Sequence, residues 1–192
     1  MDSNLLIKKL EQNSDLSQNE SEALMNAVMG GELSPEQVER VLISLTEKSE
    51  TVEEMTGFVK AMRTNSLHIK ATNAVDNCGT GGSGLSRINT STIASFVIAA
   101  AGAKVAKHGN KASSGRCGSF DVLEAAGIKI ELSPEQSQKC FDQAGLAFLY
   151  ARVFHPAMKY VVPVRKKLGF PTVFNILGPL TNPAGVKRQV LG

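Results

Sequence analysis

The sequence predicts an α/β protein in which a small helical domain precedes a mostly parallel sheet. Three observations carry this reading. Residues 1–65 repeat helix-start signals followed by one-sided apolar spacing. Residues 71–150 alternate short apolar segments with helical patterns, the signature of strand–helix–strand units. Glycine-rich loops follow the first two of those segments. With 42% hydrophobic and 20% charged residues, the 192-residue chain has the composition of a globular protein rather than a disordered one.

Four short helices are expected first. Ser17-Gln18-Asn19-Glu20, Ser34-Pro35-Glu36-Gln37 and Thr51-Val52-Glu53-Glu54 each place Ser or Thr three residues before Glu or Gln. Pro35 suits a first helical position. Val38, Val41, Leu42 and Leu45 then form one apolar stripe, and Val52, Met55, Phe58, Val59 and Met62 another. Gly30-Gly31 ends the second helix. These stripes are read as core and carry no chemistry.

The character changes near residue 67. Ala74-Val75-Asp76 reads as a strand entering a glycine loop at 79–84, and Asn89-Thr90-Ser91-Thr92 opens an apolar helix at 93–101. Residues 104–110 read as a second strand ending in a polar loop. Residues 121–126 begin a helix that Gly127 closes, and 128–132 are expected to be a strand. Ser133-Pro134-Glu135-Gln136 starts another helix, with 146–150 a further strand. Pro156, Pro163, Pro171, Pro179 and Pro183 cut the remainder into short helices and loops. About three parallel strands are expected, with another beginning at Val190, so the chain is expected to be a fragment.

Several function classes lose ground at once. No apolar run reaches the ~18 residues a membrane-spanning helix needs, and the N-terminus lacks the apolar core of a signal peptide. Cys78, Cys117 and Cys140 are odd in number and widely spaced, against a disulfide scaffold or a C-x-x-C metal site, and fit a reducing cytoplasm. No Trp and two Tyr speak against a base-stacking surface. The net charge of +3 is uneven. Residues 1–70 hold 7 Lys/Arg against 12 Asp/Glu, and residues 71–192 hold 14 against 6. A basic, glycine-rich half suits an anionic ligand, although a solvated basic face has the same composition.

Two loops are candidates for that ligand. The loop at 79–84, with the helix start at 89–92, offers close backbone approach and free N–H groups to a phosphate. A tight turn with an ordinary helix cap would look the same. The loop matches neither GxxxxGK[ST] nor a clear GxGxxG, so ATP hydrolysis and nicotinamide binding are disfavoured. Residues 107–119 collect Lys107, His108, Lys111 and Arg116 among serines and glycines, a set able to wrap a polyanion. Being after a strand, this loop stands where open α/β sheets bind ligands. His155 and Arg165 are weaker candidates taken singly.

Together these segments resemble the anthranilate phosphoribosyltransferase family. The resemblance rests on Asp76…Gly79-Thr80-Gly81-Gly82, Asn89-x-Ser91-Thr92, Lys107-His108-Gly109-Asn110, Gly118-Ser119-x-Asp121-Val122-Leu123-Glu124, His155-Pro156-Ala157-Met158-Lys159, Val164-Arg165 and Phe174-Asn175-x-Leu177-Gly178-Pro179-Leu180-x-Asn182-Pro183. It runs in order from Asp76 to Pro183, and residues 1–70 fit the family's helical domain by pattern. It implies a fold of the nucleoside phosphorylase/phosphoribosyltransferase type. The helical domain at 1–70 would be joined in space by 155–185. The α/β domain would comprise 71–154 and 186–192 and be incomplete at its C-terminus.

The implied reaction joins 5-phosphoribosyl 1-pyrophosphate (PRPP) to anthranilate, releasing pyrophosphate, in tryptophan biosynthesis. Carried over residue by residue, PRPP binding falls on Gly79, Gly82, Ser83, Arg87, Asn89, Thr90, Ser91, Thr92, Lys107, His108, Gly109, Asn110, Lys111, Ala112, Ser113, Ser114, Gly115 and Ser119. Anthranilate binding falls on Gly79, Asn110, His155 and Arg165. Ser91 matches a Mg²⁺ contact, Mg²⁺ being the implied cofactor, and no covalent nucleophile is implied. A homodimer through the helical domain is implied too, with neither nucleic acid nor membrane as partner. Ser83 stands where the family usually has Asp, Lys111 where it has Arg, Arg87 where it has a small or hydroxyl residue, and Phe120 where it has Ala. No acidic cluster follows residue 54, so a carboxylate Mg²⁺ site is not visible. The competing readings are a pyrimidine-nucleoside phosphorylase of the same fold and a non-catalytic nucleic-acid-binding relative.

Overall fold

The computed structural model describes residues 1–79, 88–112 and 117–192. In chain order the elements are α1 (Ser3–Glu11), α2 (Gln18–Gly30), α3 (Pro35–Lys48), α4 (Val52–Thr64), β1 (Val75–Cys78), α5 (Thr90–Ala100), β2 (Val105–Gly109), α6 (Ser119–Ala125), α7 (Pro134–Ala144), β3 (Leu146–Tyr150), α8 (Ala151–Phe154), a 3-10 helix (Pro156–Tyr160), α9 (Val162–Leu168), α10 (Phe174–Leu180) and β4 (Arg188–Leu191). They fold into two compact units, Met1–Ser66 with His155–Thr181, and Leu67–Phe154 with Asn182–Gly192. No helix among the described residues is long and apolar enough to cross a membrane.

In the helical unit the capping boxes form as the sequence spacing requires. Ser17, Ser34 and Thr51 each accept from the backbone N–H three residues on, and Glu20, Gln37 and Glu54 reach back to the cap. Gly31 ends α2 in the left-handed region at φ 72°. The apolar stripes of α1–α4 meet in one core around Leu10, Leu24, Leu42, Leu45 and Phe58, which Val161, Val164, Val173, Phe174 and Leu177 complete. Residues of α9 and α10 therefore supply part of the same core as the first four helices. Gly57 lets α4 approach α2 closely, because a Cβ there would lie 2.4 Å from the Gln18 carbonyl oxygen. Glu54 is fully buried and accepts from the Leu16 N–H at 2.9 Å, the Thr51 N–H at 2.8 Å and Lys48 Nζ at 2.9 Å. Desolvation pulls the Lys48 ammonium down, but hydrogen bonds to Asp15 and Glu54 outweigh it and hold the pKa above its usual value.

The α/β unit contains a four-stranded parallel sheet in the order β3-β2-β1-β4. Val105 faces Leu146 and Gly109 faces Tyr150, while Val75 faces Arg188 and Cys78 faces Leu191. Successive β3 side chains go to opposite faces. Ala147 and Leu149 join Ala106, Phe141 and Phe154, whereas Phe148 and Tyr150 join Phe120, Leu123 and Ile130. The parallel arrangement carries the ends of β1 and β2, Cys78 and Gly109, to the same end of the sheet.

Two expectations are corrected. Residues 128–132 form no strand. The Ile128 N–H donates back to the Leu123 carbonyl at the end of α6, and Ile130 is buried against the aromatic cluster without a partner strand. The further strand expected at Val190 is β4, which lies beside β1 and makes a four-stranded sheet among the described residues. α6 begins at Ser119 instead of Asp121, which becomes a first-turn residue.

Candidate anion-binding site

The site is assembled at the C-terminal ends of β1 and β2. Asn77 pins the start of α5 to the sheet, with Nδ2 donating to the Ser91 carbonyl at 2.7 Å. Ser95 Oγ lies 2.9 Å from Asn77 Oδ1 and 2.8 Å from the Ser91 carbonyl, reinforcing the same attachment. The helix thus turns Thr92 and Ser95 inward and leaves Ile93 and Val97 exposed. Asn89 holds the N-cap position without capping the helix; its Nδ2 donates to the Cys117 carbonyl at 3.4 Å. That bond joins the start of α5 to the end of the second candidate loop.

The second loop is held from both sides. The Asn110 carbonyl accepts from Ser119 Oγ at 3.2 Å and from the Phe120 N–H at 3.3 Å. Asp121 Oδ2 accepts from the N–H of Ala112 at 2.9 Å and of Gly118 at 2.7 Å. Those two backbone donors hold its carboxyl below the usual carboxylate range. Only glycine fits at 118, since a Cβ would sit 2.3 Å from the Ala112 nitrogen. Lys111 Nζ pairs with Glu124 Oε2 at 2.8 Å. Phe120 is fully buried and stacks on Tyr150 at 4.9 Å.

A buried polar network joins β1, β2 and β4. Asp76 Oδ1 accepts from the His108 N–H at 3.3 Å, and Oδ2 accepts from Asn182 Nδ2 at 2.9 Å and Gln189 Nε2 at 3.0 Å. Lys107 is 2% exposed and donates Nζ to the Asn77 carbonyl at 2.9 Å. Burial lowers its ammonium pKa, partly offset by the Asp76 charge. Burial, then the Asp76 charge, pushes the Cys78 thiol up to about 12, so it holds no thiolate at neutral pH.

The expected residues are therefore distributed as follows. Gly79, Asn89, Thr90, Ser91, Thr92, Lys107, His108, Gly109, Asn110, Lys111, Ala112 and Ser119 belong to the α/β unit. Gly82, Ser83, Arg87, Ser113, Ser114 and Gly115 lie outside the described residues. Lys107 and His108 are interior side chains of β2, which lies between β3 and β1 with residues of both faces buried. Sequence reasoning assigned no task to Asp76, Asn182 or Asp121. The spacing of Asp121 from Gly118 carried the signal, being a first-turn acid three residues past a glycine cap.

His155 and Arg165 belong to the helical unit. Arg165 Nη2 donates to Asn175 Oδ1 at 2.9 Å, and its guanidinium lies 5.7 Å from the Phe174 ring centroid. Burial lowers its pKa, and among the described residues it makes no ion pair. A half-buried guanidinium without a carboxylate can accept one from a ligand. For Mg²⁺ the fit is poor. Among the described residues no three His, Cys, Asp or Glu converge, and Ser91 alone leaves an octahedral ion's shell unfilled.

The chain matches the glycosyl transferase family, a/b domain, over residues 71–192, and that family's helical bundle domain over residues 4–66. It is 49% identical over 187 residues to the anthranilate phosphoribosyltransferase of Rubrobacter xylanophilus, covering 97% of this chain and 55% of the relative. The crystal structure of anthranilate phosphoribosyltransferase from Thermus thermophilus superposes with a TM-score of 0.92 at 45% identity, covering 97% of this chain and 57% of that one. The Saccharomyces cerevisiae enzyme in complex with PRPP and Mg gives a TM-score of 0.89 at 29% identity, covering 99% and 58% respectively. The chain spans about half the length of the curated relatives it matches.

Proposed function

The chain belongs to the glycosyl transferase family, and on that premise we propose that the protein transfers the phosphoribosyl group of PRPP to anthranilate. The observation that carries the reading is the Asn89–Cys117 hydrogen bond, which joins the start of α5 to the end of the second candidate loop. The likeness to relatives of that name supports it.

In this reading the residues at 89–92 and 107–119 hold PRPP, with 79–84 contributing backbone. The start of α5, an eleven-residue helix, faces its positive dipole end to an anion. Arg165 pairs with the anthranilate carboxylate, with His155, Gly79 and Asn110 assigned to the same substrate. The amine attacks the ribose C1 as the C1–oxygen bond to pyrophosphate breaks, and the nitrogen then loses its proton. No covalent nucleophile is required, and the buried Cys78 thiol offers none. Catalysis is positioning together with stabilisation of the departing charge. Mg²⁺, with Ser91 as its assigned contact, belongs to the proposal as the ion that accompanies PRPP. A homodimer through the helical unit, a cytoplasmic location and a step in tryptophan biosynthesis also belong to it.

The test is titration of this chain with PRPP and with anthranilate in the presence of Mg²⁺, followed by anthranilate fluorescence. PRPP-dependent loss of fluorescence with matching pyrophosphate release is expected, far slower in this chain than in one extended to the relatives' length. Phosphate-dependent cleavage of a pyrimidine nucleoside, without anthranilate consumption, would replace this reading with phosphorolysis.

A further inference from the structure

Asn175 is a residue to which the functional reading gives no task, yet it makes the one side-chain hydrogen bond described for Arg165. Its Oδ1 accepts from Arg165 Nη2 at 2.9 Å and from the Thr172 N–H at 3.0 Å. The second bond fixes the amide at the start of α10, so the acceptor offered to Arg165 is set by backbone. Phe174 adds a ring 5.7 Å from the guanidinium carbon. Thr172 is 5% exposed, and its hydroxyl has no hydrogen-bond partner among the described residues.

We propose that Asn175 is a positioning residue that holds Arg165 by a neutral acceptor, so that the guanidinium keeps its full charge for the carboxylate of the acceptor substrate. The inference rests on the reading that Arg165 meets that carboxylate. A guanidinium has five N–H donors. Asn175 takes one and supplies no negative charge, so orientation is fixed while pairing capacity remains. An aspartate in its place would hold Arg165 in the same position and neutralise it. The identity of the side chain as amide rather than acid is therefore what matters.

The experiment compares Asn175→Asp, Asn175→Ala and Arg165→Gln with the wild-type chain. Binding of anthranilate and of PRPP is measured by calorimetry, and the Arg165 guanidinium N–H signals are followed by NMR without ligand. We expect Asn175→Asp to melt no lower than wild type, to bind PRPP equally and to bind anthranilate about tenfold or more weakly. Asn175→Ala should lose the slowed guanidinium signal. Wild-type anthranilate affinity in Asn175→Asp, with binding lost in Arg165→Gln, would overturn the proposal. Undiminished anthranilate binding in Arg165→Gln, or none by the wild-type chain, would instead overturn the functional reading. An unchanged guanidinium signal in Asn175→Ala would overturn the holding role regardless of ligand.

Discussion

The two units bury charge in different ways. In the helical unit, Glu54 is buried chiefly as a local device, with Leu16 its one distant partner. Its partners Leu16, Lys48 and Thr51 lie at helix ends or turns, and the same carboxylate closes the capping box of α4. In the α/β unit, Asp76 is buried as a long-range device, with partners at 108, 182 and 189. The first closes the cap of α4 and reaches the Leu16 N–H ahead of α2. The second joins β1, β2, β4 and the turn at Asn182, which only the sheet brings together. A buried charge near a cap serves the packing of helices, whereas one within a strand joins strands and a turn that lie far apart in the chain.

The largest expected effect sharpens the first half of that contrast. Glu54→Ala leaves Lys48 buried without its buried partner, together with two backbone donors that lose their acceptor. Removing one partner of a buried pair costs about 3–5 kcal/mol. Chemical denaturation followed by helical circular dichroism should show that loss. A loss close to that of a surface substitution would mean that Asp15 and water replace Glu54, and the local device would be dispensable.

Asp76→Asn tests the other half and should cost less, about 1–3 kcal/mol. The amide keeps one acceptor oxygen but places an NH2 group where Asn182 Nδ2 or Gln189 Nε2 now donates. It also removes the charge that offsets desolvation of Lys107. Its distinguishing readout is PRPP affinity, expected to fall, where Glu54→Ala in still-folded protein should leave it unchanged. Equal PRPP affinity in Asp76→Asn and wild type would break the link between the buried network and the loops.

This contrast also explains what the sequence revealed. The capping boxes at Ser17, Ser34, Thr51 and Ser133 were legible because they are made within four residues. Strands β1, β2 and β3 were legible from their apolar runs between glycine and helix signals. The segment 128–132 misled because β-branched residues there serve a single buried anchor, Ile130, with no neighbouring strand. The motif residues of the candidate site were legible as types, but the burial of Lys107 and His108 was not. A charge in a strand reads as solvated until a distant acid such as Asp76 is known to lie beneath it.

A smaller effect compares the same capping device across the two units. Ser34→Ala and Ser133→Ala should each cost about 1 kcal/mol, since both remove an N-cap from a Ser-Pro-x-Gln start. Thermal melts of the two variants should shift alike. A much larger loss for one would show that its serine is anchored by more than the cap.

The smallest effect is a pH dependence confined to the helical unit. Glu20 accepts from Lys9 Nζ at 2.9 Å and from the Ser17 N–H and hydroxyl. The Lys9 bond, then those from Ser17, bring its pKa down to about 2 from the ordinary 4.5. A carboxyl depressed in the folded state contributes stability that is present above the unfolded value and lost as pH falls through the folded one. The window is therefore about pH 4.5 to 2, and the contribution is constant near neutrality. Lys9 and Glu20 are both partly exposed, so salt should weaken the pairing. Glu20→Gln should flatten the acid limb of the stability curve of the helical unit while leaving Asp121, the acid-sensitive clamp of the second loop, to titrate as before. Acid melts of wild type and Glu20→Gln at low and high salt would check this. An acid limb of unchanged steepness in the variant would assign the sensitivity to other carboxylates, with Glu11 beside Arg40 the next to test because its pKa is also lowered.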